Sequence, residues 1–331
     1  MALTALFEVP FRLPSTNSPA VVALRSLVFL AGAVTVANQA LHLLQFSWFY
    51  FLRPSSVRKY LHGPAPYAIV TGATDGIGKA VARELFGRGF NLIIHGRNEE
   101  KIRTVIAEIK ASGGNGDIRY FVADAKAGGH DFAQLLAPFA DLHITLVIHN
   151  VGGALMRGER IDGFSEAELL ETIFWNDVFP LLLTRALLPQ LRATAQRGPV
   201  LAQFVGSQAA LASPVTMTTY AATKGFLATL SRGLDNDEQL WGTPTGVRFE
   251  YLSVGNVSTP GNPQDVSLMT PSAAAFAKAL VDKIGCGKRF YTPSRPHAIL
   301  GSAAAVLPER TVDAIAAQMI EKAHEAQRKR H

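Results

Sequence analysis

The chain predicts a doubly wound α/β domain with a mainly parallel sheet, preceded by an apolar helix and followed by a helical arm. Three observations carry this. Short apolar runs alternate with helical stretches from Tyr67 onward. The first run enters a glycine-rich turn, Thr71-Gly72-Ala73-Thr74-Asp75-Gly76-Ile77-Gly78, which opens a helix. Far downstream, Tyr220 precedes Lys224 by four positions, with Ser207 and Asn176 upstream of both.

At 331 residues the chain can bury a substantial core. The formal charge of +6 is modest, and no run of five or six basic residues offers a nucleic-acid grip. One cysteine, Cys286, excludes an internal disulfide and any multi-cysteine zinc site. It reads as a small residue in a turn between Gly285 and Gly287. The nine histidines are dispersed without ligand spacing, so no metal is expected. No internal repeat or low-complexity tract is present.

Residues 1–62 read as an N-terminal segment, 63–295 as the catalytic domain and 296–331 as a helical arm with a basic tail. Residues 27–52 are apolar enough and long enough to cross a bilayer, which takes about 20 residues. Trp48, Phe49 and Tyr50 stand where an aromatic belt would sit, before Arg53, Arg58 and Lys59. A helix lying on the membrane or packed on protein, and a cleaved signal peptide, are the competing readings. The basic flank outweighs Arg12 and Arg25 with Glu8, which favours a catalytic domain facing the cytosol.

Tyr67-Ala68-Ile69-Val70 forms the first strand and a helix follows over 79–90. In this strand–turn–helix setting, Gly72 permits the turn, Gly76 admits the pyrophosphate and Gly78 allows close packing, as in a Rossmann fold. Thr74, Asp75 and Ile77 complete the loop, and the helix N-terminus offers free N–H groups to phosphate. The second strand, 90–94, ends at His95-Gly96-Arg97. An NAD site would place a carboxylate here; Gly96 followed by the cation Arg97 suits the 2′-phosphate of NADP(H) instead. The third strand, 118–123, leads to Asp124, either an acceptor for the adenine amino group or a helix N-cap. The fourth, 144–148, runs into His149-Asn150-Val151-Gly152-Gly153, where Asn150 and Gly152 suit a loop beside the cofactor and His149 reads as structural.

A long helix over 170–191 contains Asn176, and a strand over 200–205 delivers Ser207. Tyr220 begins a helix reaching about Leu234, so Tyr220 and Lys224 share one face. The chemistry asks for this spacing, because a free phenol with a pKa near 10 exchanges protons poorly at neutral pH. An ammonium about 4 Å away, at an effective dielectric of about 20, contributes roughly 4 kcal/mol, enough to bring the phenol near 7. Ser207 would polarise a carbonyl.

Together these residues resemble the short-chain dehydrogenase/reductase family over roughly residues 65–295. The resemblance implies that Tyr220 donates the proton in reduction, Ser207 holds the substrate oxygen, Lys224 also binds the nicotinamide ribose and Asn176 holds a relay water. It also lays Val254-Gly255-Asn256-Val257-Ser258-Thr259 along the nicotinamide, adding Val257 and Thr259 to the cofactor contacts. A narrower resemblance, carried by Phe51-Leu52-Arg53-Pro54, Arg97-Asn98-Glu99-Glu100-Lys101, Pro296-His297-Ala298 and Leu307-Pro308-Glu309, points to microsomal very-long-chain 3-oxoacyl-CoA reductases and 17β-hydroxysteroid dehydrogenases. Three features depart from it: His149 replaces an asparagine, Val254 a proline, and the loop 260–271 is short and Pro-rich.

The expectation is an NADPH-dependent ketoreductase of the endoplasmic reticulum membrane, acting on long-chain 3-oxoacyl-CoA. The alternatives are a hydroxysteroid or other lipid-ketone oxidoreductase and, from another class, a catalytically idle lipid-binding scaffold. The resemblance further implies a homodimer and fatty acid elongation enzymes as partners. Arg328 and Lys329 in the tail read either as a retrieval signal or as a solvated helix end.

Overall fold

The computed structural model describes residues 18–328, with side chains to residue 322. Glu8, Arg12 and Lys329, which entered the topology and retrieval readings, lie outside the described residues. The chain divides into two units, Met1–Pro54 and Ser55–His331.

In the first unit, α1 (Pro19–Ser47) starts well before residue 27. Ser18 caps it through a hydrogen bond from the Val21 N–H, and Pro19 occupies the first turn, where its missing N–H costs nothing. A π-turn over Trp48–Leu52 continues the helix, with Phe46 and Tyr50 rings 4.5 Å apart. The apolar side chains point all round the axis, so no polar face marks α1 as a surface-lying amphipathic helix. Pro19–Leu52 spans 34 residues with a mean hydropathy of 2.1 in its most apolar window, long enough to cross a membrane by length and composition.

The second unit is built on seven parallel strands: β1 (Pro66–Val70), β2 (Asn91–Gly96), β3 (Ile118–Val122), β4 (His143–His149), β5 (Val200–Val205), β6 (Val247–Leu252) and β7 (Phe290–Tyr291). Their order is β3-β2-β1-β4-β5-β6-β7. Each central strand is a near-continuous apolar run because helices cover both faces. On one side lie α2 (Gly76–Gly87) and α3 (Glu99–Ala111), joined later by α9 (Ala273–Lys283). On the other lie α4 (Phe132–Leu136), α6 (Phe179–Ala195) and α8 (Thr218–Leu240).

The helix expected over 170–191 is longer and irregular. It runs as α5 (Glu166–Ile173), a π-turn at Phe174–Val178, and α6 (Phe179–Ala195). A Ser165–Glu168 capping box fixes its start. After β5 come the short α7 (Ala209–Ala212) and α8 (Thr218–Leu240); after β6 come α9 (Ala273–Lys283), α10 (Arg295–Ala304) and α11 (Glu309–Arg328). Pro308 separates the last two helices. The buried ring of His297 in α10 bonds the Met269 carbonyl at 3.0 Å, and Gln208 donates to the His297 carbonyl at 2.9 Å, tying the arm to the rim of the site.

His149 is structural, as expected. It is buried, stacked on Phe204, and its Nε2 lies 2.9 Å from the Thr184 hydroxyl, while Nδ1 has no partner among the described residues. Burial lowers its pKa from 6.5 to about 3. The folded state therefore resists a proton that the unfolded chain accepts below about 6.5, so this residue withdraws stability as pH falls from 6.5 toward 3. Replacing His149 by Phe should remove that slope. Urea unfolding of the variant should lose about 2 kcal/mol less than the wild type between pH 7 and pH 5.

Candidate active site

Strand order reverses between β1 and β4, and the loops leaving their carboxyl ends part to leave a crevice. The glycine turn lies on one side. Gly72 and Gly76 have positive φ, 63° and 52°, which side chains rarely adopt. A Cβ on Gly78 would stand 2.3 Å from the Gly72 carbonyl oxygen, so only glycine lets α2 begin this close to the turn. Asp75 caps α2 by accepting from the Gly76 N–H at 2.7 Å. Thr259 packs over Gly76, which brings Val257 and Thr259 across from the turn. These features fit a dinucleotide: a glycine-walled cradle opening on the N-terminus of a twelve-residue helix.

One residue given no role in the sequence expectation, His95, shapes this cradle, and the expected Thr74 and Gly96 act together. The buried His95 accepts from the Gly72 N–H at 3.3 Å, and its other ring nitrogen lies 3.0 Å from the Ala123 carbonyl. The ring stacks between Phe121 and Phe179, and burial lowers its pKa to about 4, which keeps Nδ1 unprotonated for the bond from Gly72. A Cβ on Gly96 would meet the Thr74 methyl at 2.5 Å, so Thr74 closes the place where an acidic side chain would stand. Arg97 beside it is exposed and without a hydrogen bond or ion pair among the described residues. Asp124 is also exposed; its Oδ1 accepts from the Lys126 N–H at 3.1 Å in a turn, and it is not a helix N-cap, because Asp131 caps the following helix, α4. Asn150 uses its amide on the Thr71 and Gly72 carbonyls, at 3.1 and 3.3 Å, locking the end of β4 to the turn.

The other side of the crevice gathers Asn176, Ser207, Tyr220 and Lys224. Asn176 is fully buried: its Oδ1 accepts from the Gly153 N–H at 3.1 Å, and its amide donates to the carbonyls of Gly153 and Thr172, at 2.9 and 3.0 Å. Lys224, 3% exposed, donates to the Val205 carbonyl at 3.3 Å and lies 5.5 Å from the centre of the Tyr220 ring. Gly152 sits between them, since a Cβ there would be 2.5 Å from Asn176 Oδ1 and 3.2 Å from Lys224 Nζ. Ser207 is gripped by Tyr251, whose phenol accepts from the Ser207 N–H at 2.9 Å and donates to its carbonyl at 3.1 Å. Gly206 is obligatory here, because the Tyr251 ring fills the space of any Cβ.

Electrostatics differ from expectation at Tyr220. Burial pushes the phenol above its ordinary value, only partly opposed by a hydrogen bond to Ser207, so it is not drawn down toward 7. The desolvated phenolate is costly, and Lys224 is itself desolvated, its pKa lowered to about 8. The phenol therefore holds its proton at neutral pH while Lys224 stays largely cationic. A small cleft beside Tyr220 has a mixed lining, with Leu155, Phe164 and Met217 beside Thr172, Thr216 and Thr219.

Known proteins share this architecture. A short chain dehydrogenase family model matches residues 66–267. A very-long-chain 3-oxoacyl-CoA reductase of Kluyveromyces lactis is 32% identical over 253 residues, 73% of this chain and 71% of that protein. Among solved structures, a short-chain dehydrogenase from Sphingobium yanoikuyae in complex with NADPH superposes with a TM-score of 0.58 at 20% identity, over 73% of this chain and 94% of that one. A 3-oxoacyl (acyl-carrier-protein) reductase of Agrobacterium tumefaciens with NADP bound gives 0.61 at 20% identity, over 74% and 99%.

Tyr251 to Phe removes both bonds on the Ser207 backbone. Each is worth about 1 kcal/mol, about 2 kcal/mol together, so turnover should fall roughly thirtyfold while nucleotide affinity is unchanged. Steady-state kinetics beside nucleotide titration checks this, and unaltered turnover would show that Ser207 is held by other contacts.

Proposed function

The chain belongs to the short-chain dehydrogenase/reductase family and is an oxidoreductase with ketoreductase relatives; we propose that it is an NADPH-dependent reductase of long- and very-long-chain 3-oxoacyl-CoA at the endoplasmic reticulum membrane. The observation that carries the reading is the convergence of Ser207, Tyr220, Lys224 and Asn176 on one wall of a crevice whose other wall is a dinucleotide cradle. Relatives named as very-long-chain 3-oxoacyl-CoA reductases support the lipophilic substrate.

The glycine turn, the start of α2, Thr259 and Arg97 are the residues that would hold the nucleotide. When bound, the nicotinamide supplies the hydride that reduces the carbonyl carbon. Ser207 holds the ketone oxygen through its hydroxyl, and Tyr220 gives that oxygen its phenolic proton as the C–O double bond opens. A phenol raised above its ordinary pKa suits this direction: it keeps its proton until the far more basic alkoxide begins to form. The Lys224 ammonium then faces the phenolate, and Asn176 holds the Gly153 backbone next to Gly152, the residue that borders Lys224. Arg97 favours the 2′-phosphate, and Gly96 under Thr74 leaves no room for the carboxylate that would repel it. Pro19–Leu52 supplies the membrane anchor. Acyl-CoA made at the cytosolic face would then reach a tethered catalytic domain.

Tyr220 to Phe should lower turnover by at least a thousandfold, roughly the worth of one acid–base group, with nucleotide binding retained; surviving activity would sink the mechanism. Arg97 to Ala should cost about 1–3 kcal/mol of NADPH affinity and leave NADH affinity unchanged, as fluorescence titration would read. In detergent, NADPH consumption should rise with acyl length across a 3-oxoacyl-CoA series and stay low with 17-keto and 3-keto steroids. The reverse pattern would assign the site to steroids.

A further inference from the structure

Asp177 follows Asn176 directly, and both are buried, at 0% and 7% exposure. In a regular α-helix, successive side chains point about 100° apart, so an inward residue has a sideways neighbour. The π-turn at Phe174–Val178 admits one extra residue per turn and lets both point into the protein. Asn176 spends its polar atoms on Gly153 and Thr172. Asp177 does not: its buried Oδ1 has no hydrogen-bond partner among the described residues. A buried, unpaired carboxylate oxygen is expensive, and an apolar residue would fill the same place without that cost.

The charge that acts on Asp177 is Lys224, and Asp177 is the charge that acts on Lys224. The surroundings offer few competitors. On its own helix Lys224 meets the Tyr220 ring, and from β5 the Val205 carbonyl, its one hydrogen-bond acceptor among the described residues. At the π-turn, Lys126 stands over the face of Trp175 at 5.0 Å and pairs with Glu171 at 3.2 Å, so that cation is spent elsewhere.

We propose that Asp177 is a positioning residue of this site, a buried carboxylate whose field keeps the Lys224 ammonium charged and seated beside Tyr220. The inference rests on the reading of Lys224 as part of the reducing machinery. Burial raises the Asp177 carboxyl to about 7, opposed by Lys224, while Asp177 opposes the lowering of Lys224. The two titrate as a pair, and the site carries the carboxylate–ammonium form in the interval between about 7 and about 8. Without the carboxylate, desolvation of Lys224 would act alone, and the ammonium would give up its proton at lower pH.

Asp177 to Asn tests this with one isosteric change. Lys224 Nζ is followed through ¹³Cε-lysine NMR of the detergent-solubilised full chain, its resonance assigned with Lys224 to Arg. The titration midpoint of Lys224 should fall by about one pH unit in the variant, as loss of a nearby opposite charge requires. Asp177 to Glu should restore it. The basic limb of the kcat profile should move down by the same interval, a displacement that a merely structural role would not cause. An unmoved Lys224 midpoint overturns the proposal. A midpoint that moves while the kcat limb stays fixed upholds the pairing and overturns the part given to Lys224 in reduction. If the Asn variant does not fold, Asp177 to Ser removes the same charge at smaller volume and is read in the same way.

Discussion

Keeping an ammonium almost wholly out of water is the constraint on which the catalytic half of this protein depends. Lys224 is 3% exposed, and stripping an amine of its hydration costs several kcal/mol unless fixed dipoles and charges replace the water. Val205 supplies a carbonyl from the end of β5, Tyr220 a ring face, and Asp177 a negative charge. Each comes from a different element, so their meeting fixes how α8 sits against β5 and against the π-turn. The small residues follow from the same need. Gly152 must lack a Cβ because Asn176 and Lys224 occupy the space on either side of it, and Gly153 must lack one because Trp175 lies against it.

The cofactor half is governed by close approach of backbone to backbone. The turn after β1, the end of β4 and the start of α2 are held so tightly that Gly78 contacts Gly72, while the Asn150 amide bridges the two loops. His95 performs a similar task from below, accepting from the turn while bonding Ala123 at the end of the third strand. Because the bond accepted from Gly72 needs an unprotonated Nδ1, the burial that suppresses protonation of the ring is part of what keeps the cradle in shape. At the next position Thr74 covers Gly96 and leaves Arg97 as the charge at the rim.

Much of this was legible in sequence because its signals are local. The first five strands are apolar runs with clear ends, the glycine turn sits between a strand and a helix, and Tyr220 and Lys224 are one helical turn apart. What sequence concealed depends on contacts distant in the chain or on irregular helix geometry. Tyr251 reaches Ser207 across 44 positions, and its pattern alone is that of a core strand residue. Strand β7 has two residues, too short for any periodicity to announce it. Asp177 was invisible because a uniform helix over 170–191 turns it away from Asn176, and only the π-turn places both inside. The phenol was misjudged for a related reason. A charge-pair calculation at 4 Å omits the burial of the phenol itself, and in this site burial wins.

That reversal bears on direction. A tyrosine brought near neutrality would serve alcohol oxidation and ketone reduction almost equally, since it could take or give a proton at small cost. A tyrosine held above its ordinary value is a poor base in the resting site and a proton reserve for a group more basic than itself. The alkoxide formed from a ketone is such a group, so the protonated phenol suits the reducing half of the chemistry. Burial of the phenol, opposed only in part by Ser207 and faced by a cation whose own charge is maintained from the π-turn, keeps that proton on Tyr220 in the resting site. This protonation state comes from the depth of the site and not from the identity of its side chains, which a tyrosine–lysine motif alone could not disclose.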